Sequence, residues 1–199
     1  PSSMSSAAEI VRRLHRILRQ RADIRGQLER GPRLIKVAKA NLDAAQAALQ
    51  QHREGIKRLR MDVDRDHLQL KSREAKIFDT EGKMNMAKKN VEYQALKDQI
   101  AADTQANLVL SDEILEKLEQ IDGLQAQTAS YEEKVKLGEA EAKRVESSIN
   151  ERKGTLEADL TRVNEELVDA ESQLSGDLKA IYQRLVSSRD EEAIAPLEG

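Results

Sequence analysis

Residues 35–77 read IKVAKANLDAAQAALQQHREGIKRLRMDVDRDHLQLKSREAKI, and the spacing of apolar side chains within them decides the fold. Ile35, Leu42, Leu49, Ile56, Val63, Leu70 and Ile77 recur every seven residues. Between them, offset by three, stand Ala38, Ala45, His52, Leu59, Asp66 and Arg73. Such an a/d heptad keeps one narrow seam of a helix turned toward a partner helix. The later d positions are polar, so seam packing is expected to loosen toward Ile77.

On the N-terminal side, Ser6 and Glu9 form a capping-box pattern, followed by Ile10, Leu14, Ile17, Ile24 and Leu28 at helical spacing. Residues 1–5 are expected to lie outside the fold, as an expression scar or a disordered start. Gly31-Pro32 then predicts a kink or short break and a restart, because proline lacks the N–H and its ring clashes with the preceding turn. On the C-terminal side, Asp79-Thr80-Glu81-Gly82 has turn chemistry, and the apolar phase is lost until Tyr93.

A second pattern runs from Tyr93 through Leu96, Ile100, Asn107, Leu110, Ile114, Leu118, Ile121 and Leu124. It continues through Tyr131, Val135, Ala142, Val145, Ile149, Leu156, Leu160, Val163, Leu167, Ala170, Leu174, Leu178, Ile181 and Leu185. The step changes near Leu118–Leu124 and near Gly154, which reads as stutters in the repeat. No proline occurs between Pro32 and Pro196, so one near-continuous helix is expected to about Leu185.

The charge distribution sets the direction of pairing. Residues 1–60 hold 14 Lys/Arg against five acids, residues 61–100 hold eight of each sign, and residues 101–199 hold 11 basic against 23 acidic groups. A parallel pair of chains would align like charge along its whole length. An antiparallel hairpin sets basic against acidic, at a few tenths of a kcal/mol per exposed pair. The expected architecture is all-α: a long antiparallel coiled-coil hairpin with a kinked first arm. Arm one spans 6–78, the tip 79–90 and arm two 91–187, with 188–199 as a linker. This turn would set residue 31 opposite about residue 138, where Gly138 provides a second weak helix former. Arm two would outrun arm one, leaving residues past Val163 to a second copy of the chain, as a homodimer, or to another domain.

Composition excludes several classes. Charged residues are 35% of the chain and aromatics 2%, a balance suited to narrow helix seams and not to a thick globular core. The regular apolar spacing argues against disorder. There is no cysteine, so neither disulfides nor thiolate metal sites are available. No apolar run approaches the roughly 18 residues of a membrane span, and no secretory signal is visible. A cytoplasmic protein is expected.

Two stretches carry a resemblance. Lys89-Asn90-Val91-Glu92-Tyr93-Gln94-Ala95-Leu96, with Ile100 following, resembles the K-N-x-E-Y-x-A-L-x-x-E-I stretch of bacterial coiled-coil proteins that end in a C4-type zinc ribbon. Ala195-Pro196-Leu197-Glu198-Gly199 resembles the segment just before that ribbon's first Cys-x-x-C. Gln99 stands where the family often has Glu, and no ribbon cysteine is present. The resemblance implies a cytoplasmic adaptor, or a nucleic-acid-binding protein, whose zinc would belong to a ribbon after Gly199. By the same resemblance its partners would be the alternative sigma factor, flagellar or type III secretion components, or RNA.

The residues themselves offer two candidate surfaces and no catalytic site. His15, His52 and His67 lack the spacing of a helical metal pair, and Asp62, Asp64 and Asp66 lack the glycine turn and distal glutamate of a calcium loop. No phosphate loop or nucleophile–base arrangement can be read, so no enzyme and no cofactor in this chain are expected. The tip groups Phe78, Met84 and Met86 with Lys83, Lys88, Lys89 and Tyr93, and flexible thioethers suit an adaptable protein-binding surface; the plainer account is that they cap the hairpin core. The first arm clusters Arg12, Arg13, Arg16, Arg19, Arg21 and Arg25, which could engage phosphates; the plainer account is that the acidic return helix neutralises them. A purely structural spacer is the third reading.

Overall fold

The computed structural model describes residues 2–194. They form three helices: α1, Ser2–Asn85; α2, Asn90–Ser172; and α3, Gly176–Ile194. No strand occurs among the described residues. The chain divides into two compact units, Lys39–Ala140 being one, and the residues up to Ala38 with those from Glu141 onward the other. In each, a stretch of α1 pairs with a stretch of α2 running the other way, so the all-α antiparallel hairpin is present.

In the Lys39–Ala140 unit the two arms are joined by residues 86–89. Met86 N–H donates to the Lys83 carbonyl and Ala87 N–H to the Met84 carbonyl, closing α1. Lys83 lies in the last turn of α1 and Glu92 in the first turn of α2, each opposing the helix-end partial charge it faces. The core is a ladder of Ile56, Val63, Leu110, Ile114 and Ile121, with Leu59, Leu70 and Leu124 packed against it.

The expected tip at 79–90 is therefore corrected to 86–89. Thr80 is not in a turn: it is buried in the helix, and its hydroxyl donates to the Lys76 carbonyl at 2.9 Å. The heptad explains this. Thr80 is the next d position after Arg73, and Met84 the next a position after Ile77, so the repeat runs past the apparent turn chemistry. Moving the turn also moves the register. Gly31 meets Ile149 and not residue 138, about three helical turns further along α2, and Gly138 meets Leu42.

The expected stutter at Leu118–Leu124 is absent as well. Lys117 takes the half-buried seam position and Leu118 is exposed, so an unbroken three-four step runs from Leu96 to Ile149. Asp103, Lys117, Thr128 and Gly138 fill seam positions on it, which the apolar pattern passed over. Two of them are paired. Lys117 Nζ lies 2.6 Å from Asp66 Oδ2, with Asp66 only 5% exposed, and Arg65 reaches the other Asp66 oxygen at 3.9 Å. Thr128 Oγ1 lies 2.9 Å from His52 Nε2, and the His52 ring stacks on Tyr131 with centroids 4.4 Å apart. Arg53 pairs with Glu132 at 3.1 Å on the surface.

In the other unit, α1 is helical through Gly31-Pro32, so the short break is not there. The heptad keeps phase across the dipeptide: Ile24, Gly31 and Ala38 are successive d positions and all are buried. Pro32 is exposed, and the helix forgoes only the bond from residue 32 to the Leu28 carbonyl. α1 is already running at Ser6, so the capping-box start and the disordered 1–5 are both displaced by a helix from Ser2.

Val163, Leu167 and Ala170 of α2 pack with Leu14, Ile17 and Ile24 of α1, and Arg13 pairs with Asp169 at 3.5 Å. There is thus no overhang past Val163 to be covered by a second copy. α2 ends at Ser172 instead of running to Leu185, and the chain turns at 173–175 into α3. Gly176 enters α3 with φ +55, a left-handed conformation that side chains resist. Leu174 is buried in the same cluster, with Tyr182 packed against it. Residues 188–194, expected as linker, are helical; Ala195–Gly199 lie outside the described residues.

Two predictions follow from the seam. A Cβ added at Gly31 would stand 2.8 Å from Ile149 Cγ2, so Gly31→Ala is expected to destabilise by about 1–2 kcal/mol from overpacking. In an Ile149→Ala background the same change should stabilise, by up to about 1 kcal/mol of helix propensity; urea unfolding of the four chains measures both. For Asp66, Lys117→Leu alone should cost about 2 kcal/mol by leaving a buried carboxylate without its lysine. Asp66→Leu with Lys117→Leu should exceed the native chain by about 2 kcal/mol in the same assay.

Candidate partner-binding surfaces

The closed end of the Lys39–Ala140 hairpin carries the first surface. A coiled-coil seam points one stripe of each helix inward, and residues off that stripe meet water whatever their polarity. Phe78 follows the seam residue Ile77 and is 78% exposed. Met86 sits in the turn and Val91 in the first turn of α2, at 81% and 82% exposed. These are the three most exposed large apolar residues among those described. Lys83, Lys88 and Lys89 are exposed on the same segment, and Lys83 pairs with Asp79 at 3.4 Å.

Of the residues singled out from sequence, Phe78, Met86, Lys88, Lys89 and Tyr93 stand at this surface. Met84 does not: it is half-buried as a seam residue. Val91 was missed, because it lies between the two apolar patterns and belongs to neither.

The arginine cluster of α1 is divided by the fold. Arg13 turns to Asp169, and Arg21 occupies a half-buried seam position. Arg12, Arg16, Arg19 and Arg25 are exposed. Arg19, Arg21 and Arg25 border a groove of about 500 Å³ between α1 and α3, with His15 also on its lining. His67 is exposed and His52 is the stacked seam residue already described. Among the described residues no group of three His, Asp or Glu side chains is gathered to hold a metal ion. No described helix is long and apolar enough to cross a membrane.

Beside its apolar packing, α3 makes a polar contact with the end of α2. The Tyr182 hydroxyl donates to the Glu171 carboxylate at 2.9 Å. Burial pushes the Tyr182 phenol up to about 12, and the bond to Glu171 and its negative charge add to the rise, against the opposing field of Arg21.

The fold defines a class: an all-α protein built on an antiparallel coiled-coil hairpin. It is similar to the solved structure of CT398 from Chlamydia trachomatis, with a TM-score of 0.78 and 13% sequence identity, covering 96% of this chain and 80% of that one. At that identity the likeness concerns the fold. No family model and no curated protein matches the chain.

The raised phenol makes a pH prediction. The stabilisation of α3 by the protonated hydroxyl is complete below pH 10, the ordinary value, and is lost as pH rises toward about 12. A spectrophotometric titration should show a late phenolate step near pH 12 that is absent from Tyr182→Phe. If Tyr182→Phe leaves the last step unchanged, the Glu171 contact does not hold the phenol.

Proposed function

We propose that this chain is a cytoplasmic, non-enzymatic coiled-coil adaptor that binds protein partners through the closed end of its hairpin. The observation that carries the reading is the exposure of Phe78, Met86 and Val91 at that end, beside Lys83, Lys88 and Lys89. Burying one such side chain against a partner contributes about 2 kcal/mol, so the three together supply about 6 kcal/mol toward the cost of association. The lysines favour an acidic rim on the partner. On the resemblance of residues 89–100 to zinc-ribbon coiled-coil proteins of bacteria, the partner would be the alternative sigma factor or a flagellar or type III secretion component. The zinc would belong to a ribbon beyond Gly199 and to no residue of this chain.

Nucleic-acid binding is the second reading, supported by the exposed Arg12, Arg16, Arg19 and Arg25. A spacer without partners is the third.

The test is a pull-down of the candidate sigma factor or secretion component by the native chain and by Phe78→Ser/Met86→Ser/Val91→Ser. These positions are exposed, so the variant should keep its helicity while its affinity falls at least about a hundredfold. Equal capture by the variant would sink the tip as the binding surface. RNA retained on filters in a salt-dependent way, with no protein captured, would move the assignment to the second reading.

A further inference from the structure

We propose that the groove between α1 and α3 is a docking site for an acidic amphipathic helix of a protein partner. The site goes beyond the tip surface and does not depend on it.

Leu14, Leu18, Ala22, Tyr182 and Val186 line the groove, and its edges carry Arg19, Arg21, Arg25 and Arg189. Not one acidic side chain contributes to the lining. Among the described residues, Arg19, Arg25 and Arg189 have no ion-pair partner, whereas Arg13 on the neighbouring face has Asp169. The groove thus presents cations and no carboxylate on its lining, on a chain whose net charge is −3.

The apolar part is also incomplete. Val11 and Leu185, both on the lining, remain 50% and 61% exposed. A groove open along one side does not bury most of a small molecule, as a ligand pocket does. It does fit a third helix. From Val11 to Arg25 the lining follows α1 for about 21 Å, the length of four turns, at the spacing whose ridges accept those of another helix. Such a helix would place an apolar stripe over Leu18, Val186 and Leu185, with carboxylates on both flanks reaching the arginines. A nucleic acid would answer the arginines but leave Val11 and Leu185 uncovered.

The test is fluorescence anisotropy of the full chain with a labelled synthetic peptide of about 15 residues, leucines at i, i+3, i+4 and i+7 and glutamates elsewhere. Affinity should fall at least about tenfold between ~50 and ~300 mM salt. It should fall as far in Arg19→Glu/Arg25→Glu and in Leu185→Ser, exposed positions at which circular dichroism should be unchanged. A scrambled peptide of the same composition, lacking the stripe, should not bind.

Peptide affinity equal in the variants, or equal for the scrambled peptide, would overturn the proposal. So would groove-dependent binding of oligouridylate or phosphatidylglycerol vesicles without peptide binding, or sedimentation showing a second copy of the chain covering the groove. The triple variant at Phe78, Met86 and Val91 should keep full peptide affinity, so failure at the tip and failure at the groove are told apart.

Discussion

The alternation of three- and four-residue steps, kept over most of both long helices, is the constraint on which the other features depend. On α1 it runs from Ile10 to Met84, and no residue at those positions is exposed. On α2 it holds from Leu96 to Ile149 in the same way. A seam this narrow carries about two inward residues per seven, so little area is available at each level and no single contact dominates. Stability has to accumulate along the length. Any insertion that changed the phase would rotate the rest of the helix off its partner.

That economy gives the polar seam residues their significance. Aliphatic layers such as Ile56, Val63, Ile114 and Ile121 are interchangeable enough that one arm could slide past the other by a heptad with little loss. Asp66 with Lys117, and His52 with Thr128 and Tyr131, are not interchangeable. A slipped register would bury Asp66 without its lysine, and an unpaired buried charge is far more costly than a lost methyl contact. The close passage of Gly31 at Ile149 and of Gly138 at Leu42 acts in the same sense, because an added Cβ would crowd the facing side chain at both heights. Polar and small residues together select one register from several that the aliphatic pattern permits.

The same residues explain how far the sequence could be read. Helical class, antiparallel pairing and most seam positions of α1 were legible, since they rest on aliphatic periodicity and on the segregation of charge. Asp79 to Gly82 have the local propensity of a turn, but the heptad overrides it and places Thr80 inside the seam. The apparent stutter arose in the same way: Lys117 was passed over for its neighbour Leu118, since a lysine at a d position has no apolar signature. Gly31-Pro32 has the local signature of a break, since proline's cost is local, whereas the d series that Gly31 continues is set by the whole helix. The reversal at 173–175 had only Ser175-Gly176 to announce it. Of the tip, Phe78 and Met86 were legible as isolated apolar residues off the pattern, whereas Met84 proved to be on it.

The reversal has a further consequence that separates the two units in kind. Along Leu156–Leu174 the buried stripe of α2 widens, with Leu160, Leu167 and Leu174 joining Val163 and Ala170. A stripe wider than a/d cannot be covered by one helix, and α1 covers only part of it. Leu174 and Tyr182 supply the remainder by bringing α3 back against the pair. Three helices of unequal length leave a cleft wherever the third fails to follow the first, and Tyr182, Leu185, Val186 and Arg189 of α3 line it. The same packing that closes the core thus opens a groove beside it. Because the N-terminal part of α1 is dense in arginine, from Arg12 to Arg33, that groove inherits a positive edge. Its charge and its apolar lining have one origin, the return of an acidic helix on a basic one with a third helix laid across the widened seam.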